Sequence, residues 1–174
     1  LGRPMRTERS VSGLLESAVA SYDAADRLLS VDLQDGGAIH RFGYDSLGRV
    51  IWAEDPDQGR RLNHYGDGGR VIKTSNAAGG EVAFTYDNAG RVLSEVGSRG
   101  SSRRYHYDSP KSGSAADART AGRLAWAEEP TGEVHLTYNA FGKVCTTQRS
   151  VAGQSAGQTF VFSPSGRVIS SQFS

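Results

Sequence analysis

A short pattern of one aromatic residue, Asp, two variable residues, Gly, Arg and two aliphatic residues recurs along this chain and limits what it can fold into. Its clearest copy is residues 86–93, Tyr-Asp-Asn-Ala-Gly-Arg-Val-Leu. Asp suits the first position of a type I turn because its carboxylate accepts a backbone N–H two residues on. Gly90 can take the left-handed conformation without a side-chain penalty. The pattern therefore predicts a tight turn with a G1 bulge between two antiparallel strands.

The pattern returns at a nearly constant interval. Its copies begin at Tyr22, Tyr44, Tyr65, Tyr86, Tyr107, Tyr138 and Phe162. The first step is 22 residues and the next three are 21 each. A fixed interval of this size is the signature of a repeat architecture, in which no unit buries a core alone. We therefore predict one array of about seven repeats over residues 1–174.

Each repeat is predicted to contain two strands. The strand before each Tyr alternates, so that Val82, Phe84 and Tyr86 share one face. Aliphatic residues follow each Gly-Arg pair, and second turns rich in Gly and Pro separate the strands. We expect about 14 to 16 antiparallel strands in meander order, and accumulated strand twist should make so large a sheet curl. The predicted class is all-β, with consecutive hairpins forming a long curved or spiralling sheet.

Three places in the sequence are less regular. Residues 14–21 have a pattern compatible with a short helix, but their position before Tyr22 favours a strand. Arg61 and Asn63 fill slots that are apolar in other copies, so that either the face is locally polar or the register shifts. Residues 1–3, Leu-Gly-Arg, look like the end of another copy. This predicts that the chain begins inside a longer protein.

One copy is split into two halves. Tyr107-Asp108 and Gly122-Arg123-Leu124 are separated by residues 109–120, which are small and polar and contain Pro and Gly. A loop can be inserted at a hairpin tip at small entropic cost. We therefore predict a loop insertion at residues 109–120 that a protease cuts first, with a recognition loop as the functional alternative.

Composition argues against several classes of protein. The chain has 20 basic and 19 acidic residues, without the clustered positive excess of nucleic-acid-binding domains. A single cysteine, Cys145, excludes an internal disulfide and an all-cysteine metal framework. Cys145 takes the slot of Ile51, Ile72 and Leu93, which predicts a small apolar packing residue rather than a reactive thiol. No apolar run approaches the length of a membrane-spanning helix.

The sequence shows no catalytic constellation. Nucleophile, base and orienting residue do not occur together at a local spacing, so we predict no enzymatic activity and no cofactor. The histidines His40, His64, His106 and His135 fall on predicted strands without a metal-ligand spacing, so we predict no metal site.

The predicted site residues are therefore structural ones at the repeat turns. They are Tyr44, Asp45, Gly48, Arg49, Tyr86, Asp87, Gly90, Arg91, Tyr138 and Gly142. The arginine of each repeat can pair with the turn Asp or line up with its equivalents as a basic ladder. Such a ladder could hold an anionic glycan, and Arg49, Arg70 and Arg91 are the candidates for that role.

The Tyr-Asp-x-x-Gly-Arg-aliphatic unit resembles the signature of the YD-repeat, or Rhs-repeat, family. The resemblance covers residues 22–174, and seven spaced copies make it more specific than any one copy. The family includes bacterial Rhs polymorphic toxins, the shell-forming parts of insecticidal Tc toxins, and the teneurins of animal cell surfaces. The resemblance implies a β-sheet that spirals into a hollow shell, which in bacterial members encloses a C-terminal toxin segment until delivery.

The resemblance also implies a function. The chain would be a wall segment of such a shell, with the rest of the shell, its toxin segment, and secretion-apparatus or chaperone proteins as partners. It would be secreted or delivered out of a bacterial cell, for example by type VI secretion in bacterial competition. The alternative is a cell-surface adhesion module that binds carbohydrate or protein. Asp55-Pro56 lies in a second turn, so we do not expect it to be the aspartyl self-cleavage site found at the end of some shells.

Overall fold

The computed structural model describes residues 6–11, 14–33, 38–112 and 119–174. All regular elements in these ranges are β-strands, which confirms the predicted all-β class. Residues 14–21 form a strand rather than a helix. The half-copy at residues 1–3 lies outside the described residues.

The chain divides into two compact units, Leu1–Val82 and Ala83–Ser174. The strands of the first unit are β1 (Arg6–Val11), β2 (Leu14–Tyr22), β3 (Leu28–Leu33), β4 (Ala38–Tyr44), β5 (Val50–Asp55), β6 (Gly59–Tyr65) and β7 (Val71–Asn76). β8 (Glu81–Tyr86) contains the boundary between the units. The strands of the second unit are β9 (Val92–Gly97), β10 (Ser102–Tyr107), β11 (Leu124–Glu129), β12 (Gly132–Tyr138), β13 (Val144–Val151), β14 (Gln154–Phe162) and β15 (Val168–Phe173).

Within each unit, the strands follow one another in the sheet in the order of the chain. Within each unit, neighbouring strands pair antiparallel, as β4 does with β5 and β12 with β13. This arrangement confirms the predicted meander of consecutive hairpins. It follows from the short turns, because a connection of a few residues can join only antiparallel neighbours.

A β-bulge follows the repeat turn. Tyr44 lies opposite Val50 and Gly43 lies opposite Trp52, so that Ile51 is the extra residue on its strand. The same irregularity occurs in both units, and the extra residues are Leu29, Ile51, Ile72, Ala125, Cys145 and Ile169. A bulge bends its strand and increases the local twist. The second aliphatic residue of the motif is thus the one that leaves the regular ladder.

The strand register defines two faces within each unit. We call the face that carries the repeat tyrosines the tyrosine face. Before Tyr65 the register is the same as in the other copies, because Tyr65 lies opposite Val71. The open question about this strand is therefore decided in favour of a locally polar face. Asn63 is hydrogen-bonded on this face, because its side-chain nitrogen donates to the Val50 carbonyl at 2.9 Å.

Most apolar side chains are only half-buried. Among the described residues, the buried apolar positions are Ala125, at 2% exposure, and Ala127, at 7%. Cys145 is also half-buried, and its Sγ lies 3.1 Å from Oγ1 of Thr137. Within the described residues, no helix has the length and apolar character needed to cross a membrane. With so little buried area, the contacts between neighbouring repeats must carry much of the stability.

Candidate functional site

The repeat turn is closed by its aspartate. Asp45 Oδ1 accepts the backbone N–H groups of Leu47 and Arg49, both at 2.9 Å. The Gly48 N–H donates to the Asp45 carbonyl at 3.0 Å, and Gly48 takes the left-handed conformation at φ 79°. Only glycine adopts this conformation freely. The motif thus places a carboxylate, a left-handed residue and an arginine at fixed positions.

The second carboxylate oxygen of the turn aspartate holds the arginine of the same turn. Arg49 Nε donates to Asp45 Oδ2 at 2.7 Å, and Arg91 Nε donates to Asp87 Oδ2 at 2.6 Å. The backbone N–H of the arginine, followed by its side chain, lowers the pKa of Asp87 below its ordinary value. Each aspartate is therefore charged near neutral pH and fixes the direction in which its arginine points.

Each fixed arginine reaches the next repeat. The guanidinium of Arg49 lies over the ring of Tyr65, 4.4 Å from its centroid. The Tyr65 hydroxyl donates to the backbone carbonyl of Val50 at 2.8 Å. We call this set of contacts a junction: the arginine of one turn, the carbonyl of the residue after it, and the aromatic ring of the next repeat. A junction combines a cation–π contact with a hydrogen bond to a half-buried carbonyl.

The junction recurs in both units. The tyrosines at the other sites donate to carbonyls of equivalent aliphatic residues at 2.8–2.9 Å. The arginine carbons lie 4.4–5.4 Å from the ring centroids. These pairs are Arg27 with Tyr44, Arg91 with Tyr107, and Arg123 with Tyr138. The repeat motif therefore encodes the contact between repeats as well as the turn within each one.

The Arg91 junction has additional charge pairing. The two terminal nitrogens of Arg91 donate to both carboxylate oxygens of Asp108, at 3.1 and 2.8 Å. Arg91 Nε remains bound to Asp87, so that the guanidinium bridges the carboxylates of two successive repeats. The hydrogen bonds that Arg91 donates, first those to Asp108 and then that to Asp87, raise the pKa of Arg91. A bidentate pair of this kind fixes geometry more strictly than a single contact does.

The halves of the split copy meet in the structure. The Asp108 N–H donates to the Arg123 carbonyl at 3.0 Å, as the turn aspartate does in unbroken copies. Gly122 N–H donates to Asp108 Oδ1 at 2.7 Å. Thr120, only 3% exposed, donates its hydroxyl to the Asp108 carbonyl. The chain thus leaves and re-enters the sheet at one repeat turn.

The junction nearest the C-terminal strand is different. Lys143 and Phe162 replace the arginine and the tyrosine, and the ammonium nitrogen lies 5.9 Å from the ring centroid. Phe162 has no hydroxyl to donate, while Lys143 donates instead to the carbonyl of Gly166. Asn139 takes the aspartate position, and its side-chain Nδ2 is buried without a hydrogen-bond partner in the structure. This junction keeps the geometry but loses several polar contacts.

The predicted site residues occupy these turns and junctions. Gly90 and Gly142 have φ of 83° and 76°, like Gly48. Arg49 and Arg91, two of the three glycan candidates, are held by carboxylates and stacked on tyrosines. Arg70, the third, also takes part in an interaction. The guanidinium groups of Arg49 and Arg91 are thus engaged within the protein, and glycan binding stays a prediction.

Sequence reasoning missed the role of the tyrosine hydroxyl. The sequence predicts only that the residue alternation places a repeat tyrosine on one face of its strand, whereas the structure adds the bond from the Tyr65 hydroxyl to the Val50 carbonyl of the preceding repeat. The signal that could have shown it is the nearly constant spacing from each arginine to the tyrosine of the following copy. In an antiparallel meander, such a spacing places the two side chains on neighbouring hairpins.

Histidine and tryptophan form a separate cluster on the face opposite the tyrosines of the second unit. The rings of His106 and Trp126 are parallel, with centroids 3.6 Å apart, and His135 follows at 6.0 Å. His106 Nε2 lies 3.1 Å from Glu128 Oε1, and His135 Nε2 lies 3.0 Å from Glu133 Oε2. Across the part of the chain that the structure describes, no group of three or more acidic, histidine or cysteine side chains is arranged to hold a metal ion.

Comparison with known proteins agrees with the repeat. Residues 65–102 match the family model of the RHS repeat. No curated protein matches the sequence. Among solved structures, the chain is similar to the crystal structure of TcdB2-TccC3-Cdc42, with a TM-score of 0.69 and 16% identity over 95% of this chain and 10% of that one.

Two further solved structures are similar. They are the crystal structure of TcdB2-TccC3-TEV and a Photorhabdus luminescens Tc holotoxin pore with a mutated TccC3. For both, the TM-score is 0.67 and the identity 14%, over 92% of this chain and 9% of the other. At these identities the likeness establishes the fold. The chain spans about a tenth of the length of the solved chains it matches.

Proposed function

We propose that this chain, in which residues 65–102 match the RHS repeat, is a structural wall segment of a larger toxin-type shell that encloses a C-terminal cargo before delivery. The Tc toxin assemblies that share its fold support this proposal. The rest of the shell and the enclosed toxin segment are its partners. The assembly acts outside the cell that makes it, and the chain has no enzymatic role.

The junction geometry is the observation that carries the proposal. The repeated charged groups of the motif bind one another within the protein. Arg91 binds Asp87 of its own turn, and it binds Asp108 and stacks on Tyr107 of the next repeat. A ligand-binding ladder would instead present free guanidinium groups. Contacts that join each hairpin to the next can be extended over any number of repeats. A continuous wall is the natural use of such an element.

The proposal is tested on the full-length shell protein that contains this segment, produced together with its cargo. We expect the cargo to resist added protease while the shell is intact. Tyr107→Leu removes one junction and should increase the rate of cargo digestion. Leu47→Ser is the matched control, because Leu47 is a turn-tip residue with 76% exposure. Cargo that is digested as fast inside the unmodified shell as when free would contradict the enclosing role.

A further inference from the structure

The tyrosine face of the first unit contains a cavity of about 580 Å³. Its floor lies where two nearby residues of β5 and β6, Ala53 and Gly59, have almost no side chain. Phe42 and His40 of β4 line one side of the cavity, and Arg61 of β6 lines the other. Small-ligand sites in proteins occupy about 300–1,000 Å³. The small residues at the centre therefore leave a space of the size that a small molecule needs.

Arg61 lacks the carboxylate that its equivalent Arg103, also four residues before a repeat tyrosine, has in the second unit. Arg103 lies opposite Glu95, and its Nη1 is 3.5 Å from Oε2 of that glutamate. Arg61 lies opposite Ala53 on one side and Asn76 on the other. In the described part of the chain, the exposed Arg61 guanidinium has no hydrogen bond, ion pair or ring contact. An alanine in the position of the glutamate thus leaves both the space and the unpaired charge.

The other charged groups that line the cavity already have partners. Arg60 donates two hydrogen bonds to Oε2 of Glu54, at 3.1 and 2.8 Å. Asp55 Oδ1 accepts two backbone N–H groups of its turn at 2.9 Å, and Oδ2 lies 3.4 Å from His40 Nδ1. These N–H groups, first that of Gln58, lower the pKa of Asp55, which is therefore charged near neutral pH. The cavity thus has an unpaired cation at one end and a carboxylate at the other.

We propose that this cavity binds a small aromatic carboxylate that carries a hydroxyl group at the opposite end of its ring. The carboxylate would take the place beside Arg61 that the glutamate takes in the equivalent pair, with the ring against Phe42. The hydroxyl would donate to Asp55, which lies two residues along β5 from Ala53, about 7 Å away. A benzene ring with substituents at opposite ends spans a similar distance. The inference goes beyond the proposed wall function, because none of these residues belongs to a junction.

The charges at the two ends of the cavity predict which related molecules are rejected. A neutral amide in place of the carboxylate would lose the charge-assisted hydrogen bonds to Arg61. A second carboxylate in place of the hydroxyl would face the charged Asp55, and like charges repel each other. The cavity should therefore select molecules with one carboxylate and one hydroxyl.

An NMR titration of the full chain with para-hydroxybenzoate at neutral pH tests the proposal. We expect saturable shifts of the Ala53 and Arg61 amides with a Kd on the order of 1 mM, because one charged contact and one ring contact drive binding. Para-hydroxybenzamide and terephthalate each change one end of the probe, and their affinities should be lower by about tenfold or more. No saturable binding of para-hydroxybenzoate, or equal affinity for all three molecules, would overturn the proposal.

Matched variants show whether the unpaired charge directs the binding. Arg61→Gln removes the cation and should weaken binding by about tenfold or more. Ala53→Glu recreates the pair that Glu95 forms with Arg103, so it should abolish binding while the amide spectrum stays that of a folded chain. Arg103→Gln is the control, because it removes an arginine that is already paired, and it should leave the affinity unchanged. Binding that survives Ala53→Glu, or that Arg103→Gln weakens as much as Arg61→Gln does, would contradict the proposal.

Discussion

Two junctions of the second unit use the same backbone frame with different side chains. At one, Arg91 bridges Asp87 and Asp108 and covers Tyr107, whose hydroxyl reaches the Val92 carbonyl at 2.9 Å. At the other, Lys143 lies over Phe162, 5.9 Å from the ring centroid. Both turns show the same backbone hydrogen bonds, from Asp87 N to Arg91 O at 3.0 Å and from Asn139 N to Lys143 O at 2.9 Å. The fold thus tolerates the loss of polar contacts that the first junction makes.

The comparison shows that the backbone geometry of a junction does not depend on the side chains that stabilise it. The turn, the bulge and the strand register persist where the aspartate, arginine and tyrosine are replaced by Asn139, Lys143 and Phe162. What changes is the number of satisfied polar groups, including the buried Asn139 Nδ2 that has no partner. We infer that the stability of each junction is set by its own side chains. The second unit should therefore open first at its Lys143 junction.

The largest expected effect comes from removing the aromatic ring of each junction. Tyr107→Leu loses the ring under Arg91 and leaves the Val92 carbonyl without its hydroxyl partner, so it should cost about 2–3 kcal/mol of unfolding free energy. Phe162→Leu loses only apolar and cation–π contact and should cost about 1 kcal/mol. Urea unfolding of both variants measures the difference. Equal losses would show that the two junctions are equally strong.

Removing the aromatic hydroxyl from one junction and adding one to the other tests what the hydroxyl contributes. Tyr107→Phe removes one hydrogen bond and should cost about 1 kcal/mol. Phe162→Tyr places a hydroxyl where it can reach the carbonyl of Val144 and should add about 0.5–1 kcal/mol. Urea unfolding is again the measurement. A Phe162→Tyr variant that is no more stable than the parent would refute the idea that the missing hydroxyl weakens this junction.

Restoring the charged pair at the weaker turn should have a smaller effect. Asn139→Asp combined with Lys143→Arg recreates the carboxylate and guanidinium of the Arg91 turn and removes the unsatisfied Nδ2. We expect the melting temperature to rise by about 1–3 °C, because such partly exposed pairs contribute little. The single variants are the controls, and each should give less than the pair. Additive single effects would argue against a specific contact.

Acidification should have the smallest effect of the changes considered, and it should destabilise the Asp87 turn but not the Asn139 turn. Backbone and side-chain hydrogen bonds from Arg91 lower the pKa of Asp87, so this aspartate stabilises the fold at neutral pH. That contribution is present above about pH 4 and is lost as the pH falls through the folded-state pKa. Asn139 does not titrate. Hydrogen exchange at residues 87–91 should therefore accelerate between pH 5 and pH 2 more than at residues 139–143, after correction for intrinsic rates.

Much of the fold was predictable because the information is local. Asp45 and Gly48 specify a turn within five residues, and the alternation of Val82, Phe84 and Tyr86 specifies a strand face. The register before Tyr65 was not predictable, since Arg61 and Asn63 fit either a polar face or a shifted ladder. Only the pairing of Tyr65 with Val71 decided it. The G1 bulge at the turn glycine is predicted from the sequence, but the further bulge at Ile51 is not, because it depends on how two strands meet.

The sequence by itself determined the repeat, its turns and the antiparallel order of its strands, because each of these depends on residues that are close together in the chain. The tertiary structure decided what the repeated arginine does. Its partners are a carboxylate four residues earlier and a ring one hairpin later, as Arg91 shows with Asp87 and Tyr107. The second contact exists only when neighbouring hairpins are paired in register. The side chain that suggested a ligand site is thereby a link between repeats.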